Sequence, residues 1–213
     1  ISGLDMGVGL RILHQGKTFY GFTNHLTEES LLQLARRLSQ ATKEDREPDA
    51  SHLVQKPFSP PLSPPFSNPL FPIEKHPKEI SMREKVSIVK RANEVARKLD
   101  GHVRQVRVLY RDFSQVLSIA NSEGNWVEGE RVGTVFSVQV VSAKEGALQT
   151  GYEPVGGTVG FEIFDFHSPE EVAEVAAKRS LLMLSARKAP MGRMAVVLSS
   201  EAGGTMIHEA IGH

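Results

Sequence analysis

Residues 102–155 read HVRQVRVLYRDFSQVLSIANSEGNWVEGERVGTVFSVQVVSAKEGALQTGYEPV, and they decide the fold. Val, Ile, Phe and Tyr recur at alternate positions, the period that presents one face of a strand to a core. Two interruptions, NSEGN at 121–125 and AKEGA at 143–147, carry the Asn, Gly and small polar residues of hairpin turns. The pattern predicts four antiparallel strands at about 102–112, 115–122, 130–143 and 147–154, joined as a meander with one buried face. Helical periodicities on both sides of this block make the fold class α+β, a mostly antiparallel sheet with packed helices.

Upstream, Ser81-Met82-Arg83-Glu84 forms a capping box, and Val86, Val89, Ala92, Val95, Ala96 and Leu99 repeat at helical spacing up to Gly101. Before that helix, nine of the chain's twelve prolines lie between Pro48 and Pro77. Proline removes backbone donors and fixes φ, so the stretch reads as a connection rather than as a regular element or a polyproline ligand. The first segment alternates at Val8, Leu10 and Ile12, turns at Gln15-Gly16 and resumes at Phe19 to Phe22, which is a hairpin. Thr27 then caps a helix whose Leu31, Leu34, Ala35 and Leu38 are expected to cover one face of that hairpin.

Downstream, Ser168, Pro169 and Glu171 form a strong helix start for SPEEVAEVAAKRSLLMLSA. RMAVVLSS at 193–200 is a short apolar run and predicts a buried strand. EAGGT at 201–205 predicts a turn, and the final residues begin another helix. The expected organisation is hairpin plus helix over 1–41, a proline-rich connection over 42–78, an α+β body over 79–200, and a glycine turn with the start of a metal-binding helix over 201–213.

Equal numbers of basic and acidic residues, 25 each, give a formal net charge of +0. No basic face announces nucleic acid or membrane binding. The absence of cysteine excludes disulfides and a cysteine nucleophile from these residues and suits a reducing compartment, with cytoplasm as the expected location. No apolar run is long enough to span a bilayer. The start at Ile1 and the end inside a motif suggest part of a longer protein.

That motif is GGTMIHEAIGH at 203–213, which places His208, Glu209 and His213 in the order H-E-x-x-x-H. Peptide hydrolysis at neutral pH needs a polarised carbonyl and an activated water, and two imidazoles holding a metal beside a carboxylate base supply both. Histidines five apart lie about 140° around a regular α-helix, which would splay them. A turn widened to π-type hydrogen bonding absorbs the extra residue, and Gly212 eases that distortion. Glu209 is the candidate general base. The other histidines, His14, His25, His52, His76, His102 and His167, show no ligand spacing. Trp126 is expected to pack at a hairpin end, GYEPVGGTVG to form a turn, and Asp5, Asp112 and Asp165 have no partner that the sequence identifies.

At His208, Glu209, Ala210, Gly212 and His213 the chain resembles the TldD/PmbA family, once called modulators of DNA gyrase. Two distant blocks share the resemblance: GVGLRILHQGKTFYGFTNHLTEESLLQLAR at 7–36 and NPLFPIEKHPKEISMREKVSIVKRANEVAR at 68–97. It implies the N-terminal part of a TldD-like zinc metallopeptidase, ending in the catalytic helix, with zinc on His208 and His213 and Glu209 catalytic. The family's third ligand is a cysteine in a later domain. The resemblance also implies small or unfolded peptides as substrates and a PmbA/TldE-like partner subunit or a homo-oligomer; from the charge balance, neither nucleic acid nor membrane is expected as a partner. Two other readings are a zinc exopeptidase similar to dipeptidyl-peptidase III, whose motif has the same spacing, and a non-catalytic regulator of the gyrase-modulator type.

Overall fold

The computed structural model describes residues 3–44 and 72–212, with two contact units, Ile1–Pro61 and Leu62–His213. Most of the proline-rich stretch and His52 lie outside the described residues.

In the first unit, β1 (Val8–His14) pairs antiparallel with β2 (Lys17–Thr23), Val8 opposite Thr23 and His14 opposite Lys17. Gln15 and Gly16 form the two-residue connection with φ of 48° and 77°, the left-handed pair whose twist matches the flanking strands. Thr27 accepts from the Ser30 N–H through its hydroxyl, and α1 (Glu28–Glu44) follows, with Glu28 and Glu29 in its first turn. The helix lies on the hairpin as its spacing predicted: a Cβ built on Gly21 would stand 2.8 Å from Leu34 Cδ1.

The second unit is a three-stranded antiparallel sheet in the order β3 (Val103–Ala120), β4 (Trp126–Lys144), β5 (Ala147–Gly157). Both turns are where the sequence places them. Asn121 Oδ1 accepts from the Glu123 and Asn125 N–H groups, and Glu145 and Gly146 take φ of 51° and 84°. The four expected strands are three, because 102–112 and 115–122 run together as β3. No Gly or Pro interrupts Phe113-Ser114-Gln115, and the first two side chains find cross-strand partners. The Phe113 ring covers Gly133, where an added Cβ would meet it at 2.3 Å, and the Ser114 hydroxyl donates to Glu130. GYEPVG is strand rather than turn, since β5 stays paired with β4 as far as Gly157 opposite Thr134.

Three helices cover the unit. Ser81 caps α2 (Met82–Lys98), and Ser168 caps α4 (Pro169–Leu184), each accepting from the N–H three residues on. Between β5 and α4 lies a short helix, α3 (Ile163–Phe166), not anticipated from the sequence. Alternate residues Phe136, Val138 and Val140 of β4 are fully buried against Ala92 and Ala96 of α2 and Ala173, Ala176 and Ala177 of α4. Alanine on both helices lets their backbones come close. The approach is tightest at Gly151, where a Cβ would stand 2.0 Å from the Ala176 carbonyl oxygen. Beside it, the buried Ser180 hydroxyl donates to the Ala177 carbonyl and is 2.7 Å from Ser142 Oγ, so neither hydroxyl lacks a partner. Phe161, Phe164, Tyr110 and Phe136 form a chain of ring contacts between α3 and the sheet, 4.9 to 6.2 Å between centroids.

Beyond α4 the expectation of a buried strand at 193–200 fails. Residues 193–199 form no regular element, pair with no strand among the described residues, and leave Val196 and Val197 69% and 99% exposed. The apolar run has the composition of a strand, but nothing described supplies a ladder for its backbone. The expected glycine turn is also absent. Ser199 accepts from the Ala202 N–H as N-cap, and α5 (Ser200–Ile207) passes straight through Gly203 and Gly204. The cap, worth about 1 kcal/mol, offsets part of the cost of about 1 kcal/mol for each interior glycine.

Candidate metal centre

From α5 the helix continues into a π-helical turn, His208–Gly212. The His208 N–H still bonds the Gly204 and Thr205 carbonyls of α5, so the widening begins at the first histidine of the motif. Hydrogen bonding from i to i+5 brings residues five apart to neighbouring positions around the axis, which the H-E-x-x-x-H spacing requires. Gly212 lies beside His208: a Cβ there would be 3.4 Å from His208 Nδ1, an ordinary van der Waals contact. His208 and Glu209 are both exposed. His213 lies outside the described residues.

Neutral imidazole is a good ligand for zinc and a carboxylate next to it a suitable base, so the donor chemistry and the widened turn fit a catalytic zinc site. Among the described residues no group of three His, Cys, Asp or Glu side chains converges on one point. His208 and His213 would hold the ion, and a catalytic site needs one more protein ligand.

Two of the other histidines stand beside carboxylates. His76 Nε2 is 3.3 Å from Glu130, and His102 Nδ1 is 2.6 Å from Asp100. Trp126 is at a hairpin end but packs little, being 68% exposed. Two aspartates without an assignable partner have one. Asp165 pairs with Lys75, and Asp112 takes both the Lys85 ammonium at 2.6 Å and the Tyr110 hydroxyl at 2.7 Å. Burial, with Asp112 as hydrogen-bond acceptor, pushes the Tyr110 phenol well above its ordinary value.

Sequence reasoning missed Glu162, which is 4% exposed. Its carboxylate accepts from the N–H groups of Gly160 at 2.8 Å and Lys75 at 2.9 Å. Burial alone would raise its pKa, but these bonds, with those from its own N–H and from Glu74, outweigh the burial and hold it below the usual range. Together with the Phe161 N–H bond to the Lys75 carbonyl, they fasten residues 73–78 to the start of α3. A buried carboxylate satisfied by backbone amides has no sequence signature. Glu130 is lowered to about 2, chiefly by the Ser114 hydroxyl and then by Lys78, against partial burial, with His76 adding to the effect.

No helix among the described residues is long and apolar enough to cross a membrane. The family profile of the PmbA/TldA metallopeptidase central domain matches residues 75–184, and that of PmbA/TldA metallopeptidase domain 1 matches residues 1–42. A metalloprotease of Methanocaldococcus jannaschii is 28% identical over 213 residues, covering 100% of this chain and 45% of that protein. A metalloprotease TldD homolog of Buchnera aphidicola is 28% identical over 217 residues, covering 98% of this chain and 43% of that protein. The chain therefore spans less than half the length of these relatives. A crystal structure from Thermotoga maritima, described as that of a modulator of a DNA gyrase, superposes with a TM-score of 0.67 at 20% identity, over 88% of this chain and 40% of the other. That likeness concerns the fold. On the two matched domains, which include the whole sheet and its helices, the chain belongs to the PmbA/TldD metallopeptidase family.

Proposed function

We propose that this chain contributes the metal-binding helix of a zinc-dependent peptidase acting on small or unfolded peptides. The observation that supports this reading is the π-helical turn at His208–Gly212, which suits two ligands five residues apart. His208 and His213 hold the ion, with a further ligand from outside these residues, which contain no cysteine. When bound, zinc supplies a Lewis acid that polarises the scissile carbonyl and eases ionisation of a water. Glu209 takes the proton of the attacking water on its carboxylate and passes it to the leaving amine. Glu209 is adjacent to the first ligand in sequence, and its exposure leaves it open to a peptide. In this reading the protein works with a PmbA-like subunit or a second copy of itself.

The dipeptidyl-peptidase III alternative expects a large helical body, whereas the middle of this chain is the three-stranded sheet. The test is elemental analysis of the full-length protein and of His208→Ala, with peptide hydrolysis measured on the same samples. The expected result is about one zinc per chain, lost together with hydrolysis in the variant. Unchanged metal content and behaviour in His208→Ala would leave the regulator reading in its place.

A further inference from the structure

Helices α2, α3 and α4 pack on one side of the sheet. The other side, made of the odd positions 105–119 of β3 and 127–143 of β4 with the even positions 148–156 of β5, carries no helix side chains in the core cluster. Two features set this side apart. It is apolar where an uncovered sheet face is ordinarily polar: Leu109, Phe113, Leu117, Val135 and Tyr152 are 37% to 51% exposed. Its charge is also of one sign. The strand carboxylates Asp112, Glu128, Glu130 and Glu153 all belong to the helix-covered side, whereas Arg107, Arg111 and Arg131 are exposed on the open side, which has no Asp, Glu or Lys at any strand position. Among the described residues Arg107 and Arg111 have no ion pair, and Arg131 stands 5.6 Å from the centroid of the Phe113 ring.

Arginine, aromatic and aliphatic side chains, without Lys, Asp or Glu, are the composition of the central part of a protein interface. A second copy docking through the same face would set arginine against arginine. A nucleic acid strand would find three cations among aliphatic side chains, too few for a backbone-tracking groove. We propose that the open face of β3, β4 and β5 docks a polypeptide surface in which carboxylates flank apolar side chains, with Arg107, Arg111 and Arg131 as the carboxylate contacts.

The experiment uses the full-length protein carrying Glu209→Gln, so that hydrolysis cannot consume the probe and the outcome is independent of the peptidase reading. Fluorescence anisotropy compares a labelled peptide alternating Glu with Leu and Phe, its Lys counterpart, and an oligothymidylate. The expected result is preference for the acidic peptide, weakened about tenfold by Arg107→Gln with Arg111→Gln and weakened further by salt. The control Lys98→Gln, on α2, leaves affinity unchanged. Equal binding of the two peptides, preference for the oligothymidylate, or no loss in the double variant would overturn the proposal. So would protection of Leu109 and Phe113 from hydroxyl-radical footprinting without added partner, which would mean that the protein's own chain covers the face.

Discussion

Glu162 shows how one side chain can hold a segment. Its two oxygens satisfy backbone N–H groups from Gly160 and Lys75 that would otherwise be stranded at the edge of the core. Replacing it by Gln turns one acceptor into a donor facing an amide, and the expected cost is about 2 kcal/mol, read as a lower urea midpoint. The sign of its pH dependence follows from the lowered pKa. The folded state binds this proton less readily than the unfolded chain, so the stabilisation is complete above the unfolded carboxyl value and is lost as pH falls through the lower folded one. Gly151 is a second single-residue constraint, of steric origin. An added methyl would overlap the Ala176 carbonyl and stand 2.5 Å from the Ser180 nitrogen, both fixed in α4. Gly151→Ala is expected to destabilise the protein by about 3 kcal/mol, visible as a drop in the thermal midpoint, because backbone cannot move aside as a side-chain tip can.

The π turn is an element whose shape matters more than its length. Gly212→Ala places a carbon 3.4 Å from His208 Nδ1. At the proposed zinc site the expected outcome is an affinity changed by less than about threefold, with unchanged far-ultraviolet circular dichroism, since the added methyl touches the imidazole at ordinary van der Waals distance without displacing it. At this scale the sequence was informative wherever a local rule decides. Ser81 and Ser168 announce their helices, and Gln15-Gly16 and Glu145-Gly146 announce their turns, because capping and left-handed φ are contests among a few neighbouring atoms. It misled where the decision is non-local. Nothing in Phe113-Ser114-Gln115 reveals that Gly133 and Glu130 wait across the ladder to keep β3 continuous. An apolar run such as 193–199 cannot announce whether a neighbouring strand exists. At the candidate site the donors and the need for a widened turn were legible, since both follow from five-residue spacing. The cap at Ser199, which carries the helix through two glycines, was hidden by the reading of those glycines as a break.

For the protein as a whole, the two lowered carboxyls act together under acid. Glu130, at about 2, draws on Ser114, Lys78 and His76, and Glu162 draws on the backbone. Urea unfolding between about pH 5 and pH 2.5 is expected to show stability falling as pH falls, because the unfolded chain binds protons on both groups near pH 4.3 while the folded state keeps them ionised to lower pH. The double variant Glu130→Gln with Glu162→Gln is expected to flatten that slope. Glu130 contributes the smaller share, since its side chain is 42% exposed and solvent screens its partners.

The enclosed Tyr110 also makes the protein its own optical indicator. Of the chain's three tyrosines, Tyr20 and Tyr152 are more than half exposed, whereas the Tyr110 phenol is tied to Asp112 and shielded by Phe161 and Phe164. In an alkaline titration followed by phenolate absorbance near 295 nm, the Tyr110 step should arrive only when the sheet and its helices come apart, because burial and the bond to Asp112 raise that phenol well above its ordinary value, so its midpoint dates the loss of the core without any added dye.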